Sequence, residues 1–166
     1  MNLLAHIETW LLDNRLETHQ LPALNPASQH ALILAAQQAR QDVVHYLLQQ
    51  GTDLSVVDAY GNNALWAACF AESADCIATL LEAGIDIDYQ NPGGATALIY
   101  ASSSGRHGVV AQLLKAGANP LITTLDDFSA LDLAANRQCL QLLRTAVKSW
   151  DKPTASIQRF CQPDAV

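Results

Sequence analysis

Apolar residues recur along this chain as short helical stripes, each closed by a small or turn-forming residue. In the stretch 74–82, Ile77, Leu80 and Leu81 fall on one helical face, while 63–70 keeps Ala67 and Ala68 small where a neighbouring helix must come close. Gly84 supplies a residue able to enter the left-handed region after the second stripe, and Asp58 and Gly61 bracket a turn ahead of the first. The pattern predicts pairs of short helices joined by turns. A helix of roughly eight or nine residues is marginal alone in water, so each apolar stripe needs a neighbouring pair to cover it.

The pairs repeat. Leu32, Leu65, Leu98 and Leu131 are spaced by 33 residues, and so are Ala35, Ala68, Ala101 and Ala134. The pairs Leu47-Leu48, Leu80-Leu81 and Leu113-Leu114 keep the same interval, each followed by Gly51, Gly84 or Gly117. At these residues the chain resembles the ankyrin repeat family. The stretch Gly94-Ala95-Thr96-Ala97-Leu98 through Val109-Val110, Leu113-Leu114 and Gly117-Ala118-Asn119 matches that motif best. Departures are the Ala at 31, 64, 97 and 130 in place of the motif's Pro, and Ile33, Trp66, Ile99 and Asp132 in place of its His. Thr96 is suited to cap a first helix; Asn63 and Ser129 substitute for it, and His30 is a poorer cap. Ser28 stands where the other units have a turn glycine, and the fourth unit reaches Leu142-Leu143 after 29 residues instead of 33, which predicts a shortened connection between its helices.

The resemblance implies an all-α solenoid of four units over residues 25–146, at approximately 25–57, 58–90, 91–123 and 124–146. Residues 1–24 are read as a helical N-terminal cap, with Leu3, Leu4, Ile7, Trp10 and Leu11 at helical spacing. Residues 147–166 form a tail in which Pro153 and Pro163 interrupt helix, and which either docks on the last unit or stays free.

Composition narrows the chemistry. Half of the 166 residues are apolar and 15% are charged, a globular balance. The net charge of -7 repels a phosphate backbone, so nucleic acid is not expected as a partner. No apolar run approaches the roughly 20 residues that span a bilayer, and the first residues lack the basic start of a secretory signal. A monomeric protein of a reducing cytoplasm is expected, with Cys69, Cys76, Cys139 and Cys161 as free thiols, since they form no CxxC pair and no zinc spacing. The histidines at 6, 19, 30, 45 and 107 are scattered, and Gly93-Gly94 is not followed by a phosphate-binding Gly-Lys-Ser. Carboxylate pairs such as Asp86 with Asp88 read as solvated turns. No enzyme activity, metal or cofactor is expected.

What remains is a surface. The resemblance implies that partners meet the concave side, built from turn tips and first helices, and that the protein is an interaction module acting as scaffold or regulator. On this chain that side includes Tyr60, Asn62, Trp66, Phe70, Ser103, Asp126, Phe128 and Arg137. Tyr60, Trp66, Phe70 and Phe128 are the expected anchors, because aromatic rings give large contact area at low entropic cost. Trp66 and Phe70, at i and i+4, either anchor a partner or pack on the adjoining unit, and Tyr100 has the same two readings. Between Arg40 and Arg106 lie eight acidic residues and no Lys or Arg, whereas residues 133–161 hold five bases against Asp151. This polarity either steers a basic partner onto the middle units or simply keeps the protein soluble. A specific inhibitor of immunity type, occluding a basic enzyme, is the alternative to a general adaptor.

Overall fold

The computed structural model describes residues 2–16 and 26–150. Among them are eight helices: α1 (Leu3–Asp13), α2 (Pro26–Gln37), α3 (Gln41–Gln49), α4 (Ala64–Phe70), α5 (Ala74–Glu82), α6 (Ala97–Ser103), α7 (His107–Lys115) and α8 (Arg137–Ser149). The first helices α2, α4 and α6 stack on one another, and α3, α5, α7 and α8 follow as the second layer. The linker 21–24, the tail from 151 onward and Cys161 lie outside the described residues.

The 33-residue interval becomes one continuous core. Leu32, Leu65 and Leu98 are buried, as are Ala35, Ala68 and Ala101, whose small side chains let α2, α4 and α6 approach. Val44, Ile77 and Val110 fill the same role in the second layer, and Leu47, Leu80 and Leu113 close it with no exposed surface. Asn63 accepts a hydrogen bond from the Trp66 amide and Thr96 one from the Ile99 amide, so both cap their helices from the extended conformation. Gly84 ends α5 at φ 89°.

The first unit differs from its neighbours. Position 28 is Ser where Gly61 and Gly94 adopt φ 78° and 77°. No glycine turns the chain there, and α2 begins at Pro26 and runs through those positions as 12 helical residues. α1 packs Ile7, Trp10 and Leu11 into the core, and Trp10 Nε1 donates to Gln38 Oε1 at 2.8 Å, tying the cap to the end of α2.

The fourth unit differs more. Ser129 and Asp132 form a reciprocal cap, with the Ser129 amide donating to Asp132 Oδ2 at 2.9 Å and the Asp132 amide to Ser129 Oγ at 3.3 Å. What they start is a single hydrogen-bonded turn that does not continue as a helix, closed by the Leu133 amide on the Ser129 carbonyl. The four missing residues therefore shorten the first helix itself as well as its connection. Ser102, fully buried, holds this turn in place: its Oγ donates to the Ala130 carbonyl at 2.6 Å, and its carbonyl accepts from the Ala135 amide at 3.1 Å. α8 then continues to Ser149, three residues past the boundary read from the sequence.

First helices end in a left-handed residue, which is Gly105 at φ 71° in the third unit but Ala39 at 56° in the first and Glu72 at 53° in the second. The left-handed region costs a residue with a Cβ about 1–2 kcal/mol. Ala39→Gly is expected to raise stability by about 0.5–1 kcal/mol in a denaturant titration, the gain trimmed by the greater freedom of glycine in the unfolded chain. Leu80→Ala or Leu113→Ala is expected to cost about 2–5 kcal/mol, because each leaves a cavity between two layers; a near-neutral result at both would contradict the stacked core.

Candidate protein-binding face

Between one unit's second helix and the next unit's first, the chain makes a narrow finger. Three fingers close the same way, with the amides of Asp58, Asn91 and Thr124 donating to the carbonyls of Asn62, Ala95 and Phe128 at 2.9 Å each. The side chain at the first position fastens the turn. Asp58 Oδ1 accepts from the amides of Tyr60 and Asn62, at 2.8 and 3.0 Å, and Asn91 Oδ1 accepts from those of Gly93 and Ala95.

The fingers are bonded to one another. Tyr89 donates its hydroxyl to the Gly61 carbonyl at 2.8 Å, Asn91 Nδ2 donates to Asn62 Oδ1 at 3.1 Å, and the Leu125 amide donates to the Gly93 carbonyl at 3.0 Å. A Cβ on Gly61 would collide with the Pro92 ring, so this contact requires glycine. These bonds fix Tyr60 and Asn62 on a braced edge.

Below the first finger, α2, α4 and α6 frame a cavity of about 310 Å³ whose walls include Ile33 and Gln37 of α2 together with Asp58, Tyr60, Asn62, Trp66, Phe70 and Tyr100. Four residues expected on the binding face thus converge on one hollow. Their exposures differ. Tyr60 is 81% exposed and Phe70 54%, whereas Trp66 is half-buried against the core and stacks on Tyr100 with ring centroids 5.1 Å apart. Trp66 therefore both packs and lines the hollow, and so does Tyr100, reached from the next unit. Trp66 Nε1 is buried without a hydrogen-bond partner among the described residues, a donor whose desolvation is uncompensated by about 1–3 kcal/mol.

Arg106 braces the hollow. Its Nη1 donates to the carbonyls of Cys69 and Phe70, at 3.3 and 2.6 Å, and to Glu72 Oε1 at 2.9 Å. Its guanidinium lies 5.6 Å from the Phe70 ring centroid and 5.7 Å from that of Tyr100. One side chain of the third unit thus satisfies carbonyls at the end of α4, pairs with a carboxylate and holds two rings. The sequence reading did not single out Arg106 for this. Its only signal was its position as the first base after the long acidic stretch.

The remaining expected residues do not reach the hollow. Ser103 is exposed at the end of α6, its Oγ donating to the Tyr100 carbonyl at 3.0 Å. Asp126 and Phe128 are exposed on the third finger beside Leu125, which is 76% exposed. Arg137 was expected at the end of a first helix, but the shortened fourth unit makes it the first residue of α8, in the second layer. Of the eight middle acids, Asp42 pairs with Arg40 at 2.7 Å and Glu72 with Arg106. The Arg40 hydrogen bonds hold the Asp42 carboxyl below its ordinary value.

A family model described as ankyrin repeats (3 copies) matches residues 5–91 and again 32–124. The chain belongs to the ankyrin repeat family. The second match ends at the start of the shortened fourth repeat, and the first takes in most of α1. Ankyrin repeats are as a class protein-interaction modules, typically without enzymatic activity. None of the curated proteins compared with the chain matches it.

Among the described residues no three His, Cys, Asp or Glu side chains are grouped to hold a metal ion, and no helix is long and apolar enough to cross a membrane. Cys69, Cys76 and Cys139 are free and buried. Burial pushes the Cys69 thiol up to about 12, against a smaller lowering by Arg106, and raises Cys76 and Cys139 as well. The thiolate is the reactive form. In a Cys161→Ser variant, the remaining three thiols are expected to resist a disulfide reagent at mild alkaline pH and to react only on unfolding; fast native labelling at Cys69 would contradict this burial. Arg106→Gln is expected to lower stability by about 0.5–1.5 kcal/mol, measured by denaturant unfolding, because the groups it bonds are partly solvated and the Cys69 carbonyl keeps the Glu72 amide.

Proposed function

We propose that this protein is a monomeric cytoplasmic adaptor or regulator that binds a partner protein across its concave face. Tyr60, Trp66 and Phe70 are the anchors, Asn62 sits among them, and Ser103, Asp126 and Phe128 extend the contact toward the last repeat. One observation carries this reading: the ankyrin-repeat surface expected to meet partners holds a hollow with aromatic walls, braced by inter-repeat hydrogen bonds and still open. Aromatic groups held rigidly at an exposed edge give up little entropy on binding.

The partner is read as basic. The middle repeats carry eight acids between two arginines, and a positively charged surface is drawn to them at long range. The same charge favours, as a second reading, an inhibitor that covers a basic enzyme. Tight, strongly salt-sensitive binding to one target belongs to the inhibitor; weaker binding to several belongs to the adaptor.

The test compares variants against a partner recovered from the native cell by crosslinking. Tyr60→Ala with Phe70→Ala is expected to weaken capture at least tenfold, the loss of two anchors of roughly 1–2 kcal/mol each, with only a small fall in thermal midpoint. Trp66→Ala is expected to lower capture and midpoint together, because its ring also packs on the core. Undiminished capture by the double variant would remove the concave face from the interaction.

A further inference from the structure

The hollow framed by α2, α4 and α6 has a chemistry more specific than an apolar patch. Its walls include four aromatic rings, from Tyr60, Trp66, Phe70 and Tyr100, and of its lining side chains only Asp58 carries a formal charge. Aromatic faces present negative potential, and a carboxylate among them adds to it. Asp58 is held by its own turn: both backbone amides it accepts go to Oδ1, so the carboxylate is fixed in place, and no cation pairs with it among the described residues. The same rings attract a cation within the fold, since Arg106 lies over Phe70 and Tyr100. Arg106 does not fill the hollow, and its charge is directed to Glu72 and to two carbonyls of α4.

Size points the same way. At about 310 Å³ the hollow sits at the lower limit of cavities that enclose small molecules, a space suited to one long side chain. We infer that it receives the side-chain cation of a lysine or arginine carried on an extended segment of the partner protein, lodged between the aromatic rings with its charge toward Asp58. This rests on the reading of the concave face as protein-binding and adds what that face recognises. The acidic middle repeats supply the matching long-range attraction.

The experiment uses the full chain labelled with ¹⁵N and follows the Trp66 indole N–H resonance, assigned by its disappearance in Trp66→Phe. Three short Gly/Ser peptides serve as probes, identical except for a central lysine, arginine or norleucine. The lysine or arginine peptide, or both, is expected to shift the Trp66 signal in a saturable, salt-weakened manner, and the norleucine peptide to leave it in place. Whichever of the two cations binds more tightly identifies the preferred head group. Asp58→Asn keeps the Oδ1 acceptor of the turn and removes the charge, and is expected to weaken the cationic peptide by about three- to tenfold without moving the thermal midpoint. Norleucine binding as tightly as lysine and arginine, no response to any peptide, or indifference to Asp58→Asn would each overturn the inference. A partner protein whose capture still depends on Tyr60 and Phe70 in those cases would leave the interaction face standing and remove only the cation site. A partner that ignores both substitutions would remove the face itself.

Discussion

Burial between successive helix pairs is the constraint on which this molecule depends. Leu47, Leu80 and Leu113 have essentially no exposed surface, yet each belongs to a helix of nine residues that would not persist alone in water. Each apolar stripe is covered by the next repeat along, and the next by the one after it. The small residues Ala35, Ala68 and Ala101 are fully buried where the first helices come closest. Stability in such a stack is a sum of units and nearest-neighbour contacts, so a defect in one repeat is felt most by its neighbours.

The polar contacts complement that stack with direction. Tyr89 to Gly61, Asn91 to Asn62, Ser102 to Ala130 and Asn119 to Asp88 each join positions about one repeat apart, and Arg106 reaches back to α4. A hydrophobic interface alone tolerates sliding; donors and acceptors at fixed intervals do not. The edge that carries Tyr60 is consequently rigid although the residue itself is exposed. This is the physical basis for treating the concave face as prepared for a partner instead of shaped by it.

The two ends show what the interval permits. In the first repeat, loss of a turn glycine lets α2 extend over positions where other repeats have a finger. In the last, four fewer residues leave one capped turn, and Ser102 supplies from the preceding repeat the bonds that a full helix would have made internally. Both ends keep the core interval while discarding the exposed finger or helix, because Leu32 and Leu143 must still be covered whereas surface segments need not be.

The amino-acid sequence by itself determined the helix pairs, their interval and the capping by Asn63 and Thr96. These follow from periodicity and local hydrogen bonding, which act between residues near one another in the chain. Other properties required the folded stack. That Trp66 serves packing and surface at once, that Tyr100 completes the hollow, that Arg106 holds its rings and that Arg137 belongs to the second layer all depend on contacts across about 30 residues or more, or on the accommodation of a deletion. A 33-residue register specifies which side chains share a face; how far each projects from it depends on the neighbouring repeat, and only three-dimensional packing decides that.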